Sequence, residues 1–471
     1  MKKNVKAIIK LFFSNVLVLI TGIATSFILP KILSVEGYGN YKLFTLYLGY
    51  FGLLGLGFLD GIYLKFSVKD FDDLDKKRFR LYFKYYLFIQ FSVFILLLLL
   101  SFFINEEYKN IVLMLSFYLI PFMIISYLQQ ISQITKRFDE LSIRKTINSI
   151  LIAIGTGLLA FAYFVIKLEV DYMWYILIQI LVSLILCLWY VYTYKELIFG
   201  DSYKIYNEKQ DLIKLHILGF PLLLSNFLIN IISLVDRQLV SILFDRMTYS
   251  IYAFAYNITT LIATVISVFS LVFYPLIKQN TNDKNFKLFN TFVSAIIVLF
   301  SLALSSIFPI SSFIKWFLPN YTQSIEVIFI ILPGLMYSSI ISIVIYNYYK
   351  LVNKVKNFFI ISLFVLVLSI ILNYVIFTIF KTYQSISITS VITTVLWFLL
   401  TSKYLSKEII IKTRKNIILS FLIMILYYSI HSLAFNIYGF TLYILSILLI
   451  NYVFLKKDIK TFLLIIYNRK R

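Results

Sequence analysis

Polar side chains recur at helical spacing inside stretches that are otherwise apolar. Asn226, Asn230, Ser233, Arg237 and Ser241 follow one another at intervals of four, three, four and four residues. At about 100° per residue they form one stripe along a helix. A second stripe joins Ser126, Gln129, Gln133 and Arg137, and Arg144 and Asn148 stand one turn apart just beyond it. Lys42 precedes a glycine series, Gly49, Gly52, Gly55 and Gly57, and Asp60 and Lys65 follow it. A polar group facing lipid is costly, so such stripes face either a cavity or another helix. For the asparagines, glutamines and serines both readings stand open. Arg237 is a stronger indication of a cavity, because an arginine at a helix centre costs about 2.5–3.5 kcal/mol on insertion scales. Asp236 offsets part of that cost, and snorkelling to the interface is the competing reading. Arg137 and Arg144 read equally as a cationic cytoplasmic vestibule or as ordinary flanking charge. The glycines read as close helix packing or a bend.

Other chemistry is poorly supported. No glycine-rich loop is followed by Lys-Ser/Thr, so no phosphate-cradling ATPase motif is present. His216, His431 and the single Cys187 lie far apart, which gives no metal-ligand spacing, and no cofactor is expected. Asp70, Asp72, Asp73 and Asp75 lack the glycine and terminal glutamate of a calcium loop and read as a solvated segment. No Ser/His/Asp set assembles. Transport, not catalysis, is the expectation.

The elements that must position these residues are membrane helices. The chain has 471 residues, of which 61% are hydrophobic and 14% charged, and its mean hydropathy is +0.89. A soluble protein of that length cannot cover so much apolar surface. About fourteen stretches are long enough to cross a ~30 Å hydrocarbon core as helices. The second (40–65) and the tenth (323–350) are long, so a tilt or break is expected in each. The fourth spans 110–134 and the seventh 216–242. With the N-terminus in the cytoplasm, the even-numbered loops and both tails carry most of the 44 Lys and Arg, enough to account for the whole net charge of +22. That is the positive-inside pattern of a multi-pass protein of the cytoplasmic membrane, with both termini cytoplasmic. Short basic clusters such as Lys76-Lys77-Arg78 face anionic lipid. No basic face interleaved with stacking aromatics is found, so nucleic acid is not an expected partner. Met1-Lys2-Lys3 precedes a run too long for a signal-peptide core and is read as the start of the first membrane helix.

The halves repeat. A shift of 211 residues places Ser14, Asn15, Leu17, Ile20, Tyr38 and Tyr41 on the identical Ser225, Asn226, Leu228, Ile231, Tyr249 and Tyr252. Six spans lie between the copies, so both start on the same side, as parallel repeats do in many transporters. The polar segment 196–215 is the expected linker. The expected division is an N-terminal six-helix lobe over 1–200, a second over 201–408, and two further helices with a tail over 409–471.

Residues 28–67, ILPKILSVEGYGNYKLFTLYLGYFGLLGLGFLDGIYLKFS, resemble the opening of bacterial polysaccharide-repeat-unit flippases. These belong to the multidrug/oligosaccharidyl-lipid/polysaccharide exporter superfamily. Glu36, Tyr38, Gly39, Gly55 and Gly57 carry the likeness, with Gly37 as an extra residue. Residues 235–258 look like the corresponding start of the second half through Asp236, Tyr252 and Tyr256, although Thr248 or Ser250 stands where a glycine is usual. The resemblance implies an all-α polytopic fold, with two six-helix lobes around a central cavity plus two C-terminal helices. It implies a flippase that moves undecaprenyl-diphosphate-linked oligosaccharide by alternating access, for O-antigen, lipopolysaccharide or capsule synthesis. Membrane lipids, a polysaccharide polymerase and a chain-length regulator are the implied partners. Cations in the cavity would hold the diphosphate, and Lys42 and Arg237 are the candidates by chemistry. Asn226, Asn230, Gln129, Gln133, Arg137, Arg144 and Asn148 complete the expected substrate-binding set, and Asp60 and Asp236 are expected to couple a proton or sodium ion. A lipid-linked peptidoglycan-precursor flippase, a drug exporter of the same superfamily, and a membrane polysaccharide polymerase or glycosyltransferase are the competing readings.

Overall fold

The structure, a computed structural model, describes residues 2–67, 70–232, 234–279, 284–409, 414–456, 458, 460 and 461, without the side chains of 2–15 and 265–287. The described chain is helical and no strand occurs within it. That follows from the solvent, since in hydrocarbon every backbone N–H and C=O must be bonded within its own segment. Eleven described helices are long and apolar enough to cross a membrane, or twelve when one bent pair counts as a single span. Of the fourteen spans expected, the first and the eighth fall outside this count. Only the Val16–Ile32 part of the first is described with side chains, and the eighth passes beyond Thr264 into residues whose side chains are not.

The chain forms two compact units, Met1–Asn230 and Ile231–Arg471. The first contains α1 (Lys2–Ile32), α2 (Val35–Leu48), α3 (Phe58–Phe66), α4 (Lys76–Phe103), α5 (Glu106–Ile134), α6 (Phe138–Phe161), α7 (Tyr172–Thr193), the short α8 (Lys195–Ile198) and most of α9 (Ile205–Ile232). The second contains α10 (Val235–Leu243), α11 (Arg246–Gln279), α12 (Lys284–Ala303), α13 (Ile307–Phe317), α14 (Ser324–Ile340), α15 (Tyr346–Leu351), α16 (Val355–Phe380), α17 (Tyr383–Glu408), α18 (Arg414–Leu433) and α19 (Ile437–Ile450).

The second span is broken, as its length led us to expect. After α2 comes a 3-10 turn, Phe51–Gly55; Leu56 (φ 48°) and Gly57 (φ 77°) then adopt left-handed backbone, and α3 leaves at a bend of 56°. A break inside a membrane strands carbonyls, and two side chains recover them. Gln90 Nε2 donates to Leu54 O (3.0 Å), and His216 Nδ1 lies 2.8 Å from Leu56 O, with His216 Nε2 3.1 Å from the Tyr85 hydroxyl. Beyond the break, α3 lies backbone against backbone on α9. A Cβ on Gly219 would sit 2.0 Å from Gly57 O, and one on Gly61 would sit 2.0 Å from Leu215 O.

The segment 196–215 is not wholly a linker. Its helix starts at Ile205, well before the expected 216, because Leu212 and Leu215 bury one face while Ile213 and Lys214 between them stay outside. The approach to α9 is tied down on α4. Arg80 donates to the carbonyls of Glu196 (2.9 Å) and Asp201 (3.0 Å), Lys84 to the Ser202 hydroxyl (3.1 Å), and Asp211 accepts from Lys65 and Tyr82.

The expected seventh span is the main correction. It is two helices, α9 and α10, separated by a turn in which Leu234 N donates to Ile231 O (2.8 Å). Asn226 and Asn230 therefore lie on one helix and Arg237 and Ser241 on another, and Ser233 lies outside the described residues. The internal repeat leaves a structural trace. Helices α2 and α11 begin 211 residues apart, and each is capped by the residue before it: Ser34 accepts from Gly37 N (3.0 Å) and Asp245 from Thr248 N (2.8 Å).

Candidate functional site

A cavity of about 310 Å³ opens inside the first unit. Three elements position its polar lining. The broken second span contributes Gly49, Gly52, Gly55, Gly57 and Asp60. Helix α5 contributes Ser126, Gln129, Gln130 and Gln133, and α9 contributes Asn226 and Asn230, one turn apart. The glycines leave this wall without side chains, so the cavity reaches the helix backbone. Asp60 lies in the first turn of α3, where the helix dipole favours a carboxylate. Tyr86, Phe122 and Phe227 supply aromatic surface.

Behind this lining lies an aromatic core. Phe58 stacks on Tyr86 (5.9 Å, 13°) and meets His216 at 5.1 Å, and Tyr86 stacks on Tyr127 (5.8 Å, 28°). Tyr127 donates to Phe79 O (2.9 Å) and Tyr86 to Met123 Sδ (3.2 Å), so the buried hydroxyls are bonded.

Five of the sequence-predicted residues therefore meet: Asp60, Gln129, Gln133, Asn226 and Asn230. The others do not line this cavity. Arg144 is 3% exposed, with its guanidinium 3.2 Å from Glu140 and 2.8 Å from Thr193 Oγ1, and 3.8 Å from the Tyr190 ring. Arg137 pairs with the same glutamate (3.0 Å) and lies 4.0 Å from the Phe71 ring. Tyr194 completes the cluster with a hydroxyl 2.9 Å from Glu140. This glutamate joins α6 to α7 through charge-assisted bonds, a packing arrangement rather than an open vestibule. Asn148 sits half-buried on α6 and Lys42 half-buried on α2, the latter with its ammonium 5.2 and 5.3 Å from the Tyr38 and Tyr41 rings.

The second unit holds a different polar centre. Asp236 is 2% exposed and accepts from Arg237 N (2.7 Å), Ser390 Oγ (3.1 Å) and Tyr252 (3.2 Å). The Arg237 guanidinium lies 5.0 Å from the Tyr256 ring. Three donors are what a buried carboxylate requires. Nearby, Asn373, Ser369 and Thr393 form a buried chain of hydrogen bonds between α16 and α17. Among the described residues no group of three or more His, Cys, Asp or Glu side chains is arranged to hold a metal.

Two residues of the first unit's site were missed by sequence reasoning. Gln90 and His216 bind the carbonyls freed by the helix break, and no pattern in the sequence pairs them with Leu54 and Leu56. The one available signal was their type, a polar side chain in an apolar run.

Comparison with known proteins places these features. Among solved structures, the chain is similar to the lipid II flippase MurJ in an inward closed conformation, with TM-score 0.66, 18% identity, and 98% of this chain and 100% of that one covered. It is also similar to an inward-facing MATE family multidrug resistance transporter of the MOP superfamily (TM-score 0.59, 12% identity, 84% and 94% covered). A MATE structure in complex with MaD3S gives TM-score 0.58 at 13% identity, with 86% and 96% covered. These likenesses establish the fold of a polytopic helical membrane protein. No curated protein sequence matches the chain. The family model described as polysaccharide biosynthesis protein matches residues 5–281, more than half of the chain and all three elements that build the cavity, and the chain therefore belongs to that family.

Proposed function

We propose that the protein is a flippase that carries undecaprenyl-diphosphate-linked oligosaccharide repeat units across the cytoplasmic membrane, by alternating access, for assembly of a surface polysaccharide such as O-antigen or capsule. The observation that carries this reading is the family match, which runs through the whole first unit and into the second. The fold shared with a lipid flippase and with exporters supports translocation over catalysis. The amide-lined cavity at the helix break supports a polar, sugar-bearing cargo.

Roles divide among the predicted residues. Gln129, Gln133, Asn226 and Asn230 contact the glycan. Lys42 and Arg237 hold the diphosphate, Arg137 and Arg144 support the cytoplasmic end of the path through their packing on Glu140, and Asn148 adds a polar group there. Asp60 and Asp236 take the coupling proton or sodium ion. The division into lobes 1–200 and 201–408, with a third part over 409–471, belongs to the same reading, as do cytoplasmic termini and cooperation with a polymerase and a chain-length regulator.

Deletion of the gene tests the proposal. Lipid-linked oligosaccharide accumulates on the cytoplasmic leaflet and the surface glycan is lost; an unchanged surface-glycan profile in a clean deletion overturns it. The likeness to MurJ favours one second reading, a flippase for the lipid-linked peptidoglycan precursor. That reading predicts an essential gene, and loss of the protein that shields the precursor from external probes without altering the surface polysaccharide.

A further inference from the structure

The cavity of the first unit has an unusual charge balance for a site in the path of a diphosphate. Its polar lining is Gln129, Gln130, Gln133, Asn226, Asn230 and Asp60, with the Ser126 hydroxyl, and no Lys or Arg is among its lining residues. Lys65 of α3 is engaged by Asp211, Lys109 of α5 by Glu106, and Arg137, just beyond α5, by Glu140 and the Phe71 ring. Among the described residues no ion pair reaches Asp60. Recognition of a diphosphate relies on arginine or lysine, and here a carboxylate would repel it. Carboxamides offer two donors and an acceptor each, which suits hydroxyls that both give and take hydrogen bonds. Phe122 and Phe227 add apolar faces against which a sugar ring can lie.

Resting on the flippase reading, we infer that this cavity is the saccharide subsite of the carried molecule, that it accepts neutral or amino sugars, and that it excludes uronic acids. Asp60 is the residue that sets the discrimination. It accepts from hydroxyls or an ammonium and repels a carboxylate, the repulsive element on which specificity depends. The diphosphate is then bound outside this cavity, so sugar and phosphate are read by separate groups.

Purified protein in detergent tests this without transport, by saturation-transfer NMR with glucosamine, N-acetylglucosamine and glucuronic acid as methyl glycosides. Wild type binds the first two and binds glucuronate about tenfold more weakly, the scale of a like-charge contact in a partly screened site. In Asp60→Asn the glucuronate penalty relative to N-acetylglucosamine falls and glucosamine binding weakens, while an unchanged melting curve reports a folded protein. Equal binding of glucuronate and N-acetylglucosamine by wild type, no change in their ratio in Asp60→Asn, or no sugar binding at all overturns the inference. The two claims fail separately. A protein that restores surface glycan to a deletion strain but shows no sugar preference keeps the flippase and loses the subsite. One that binds sugars with this preference and restores no glycan does the reverse.

Discussion

By spacing Gln133 reads as a cavity or packing residue and Arg144 as vestibule or flanking charge, and the structure separates them. Gln133 lines the cavity; Arg144 is 3% exposed and spends its guanidinium on Glu140, Thr193 and the Tyr190 ring. Removing one partner of a buried pair leaves the other charge uncompensated, at a cost of about 3–5 kcal/mol. Arg144→Ala is therefore expected to lower the melting temperature of the purified protein steeply, whereas Gln133→Ala leaves melting nearly unchanged and reduces transport. An Arg144→Ala protein as stable as wild type would place Arg144 back in the cavity. The sequence made Gln129, Gln133, Asn226 and Asn230 legible because a helix turns polar spacing into a face. It hid the role of Arg144 because its partners come from the i−4 position and from a helix about fifty residues away. Gln90 and His216 were illegible for a further reason: their partners are backbone carbonyls that exist as acceptors only where the second span breaks.

Breaks and crossings decide what the helices can do. The break in the second span was legible from its length and glycines. The break between α9 and α10 was not, since residues 230–235, Asn-Ile-Ile-Ser-Leu-Val, contain neither Gly nor Pro, the usual causes of a kink. The crossing of α3 and α9 demands glycine. Gly219→Ala forces a Cβ to within 2.0 Å of Gly57 O, so backbone must move. Overpacking of this kind costs about 1–3 kcal/mol. Gly157→Ala has nothing within 4 Å and is expected to be neutral or mildly stabilising. Melting curves of the two variants check the assignment, and equal effects would contradict the close crossing. His216→Ala strands Leu56 O and is expected to lower transport more than His216→Asn, whose amide can still donate. At the start of α11, the Thr248 hydroxyl and N–H hold the Asp245 carboxyl below its usual range. A group depressed in the folded state stabilises fully at neutral pH and loses its contribution as acid protonates it, here below about pH 4. Asp245→Ala removes the cap, at a cost of about 1 kcal/mol. It should therefore destabilise the protein at pH 7 and make little difference in strong acid.

At the scale of the molecule, composition alone dictated a helical, multi-pass architecture, and charge asymmetry dictated its expected orientation. The two copies of the repeat diverge in structure on one plan. Both start their second helix at a capped residue 211 positions apart, with a buried tyrosine pair on the first turns: Tyr38 and Tyr41 in one, Tyr249 and Tyr252 in the other. The first copy then breaks and opens a glycine-walled cavity, while the second keeps α11 continuous and buries a carboxylate, Asp236, under Tyr252. One unit thus lines a cavity with amides, and the other encloses a hydrogen-bonded acid. Vesicles containing the purified protein and a lipid-linked oligosaccharide give the most direct measurement of translocation. Access of an external glycosidase to the inner-leaflet pool should rise well above that in protein-free vesicles, and Gln129→Ala with Gln133→Ala should slow it. An access rate equal to that of protein-free vesicles, with the protein folded and the lipid intact, would contradict the account.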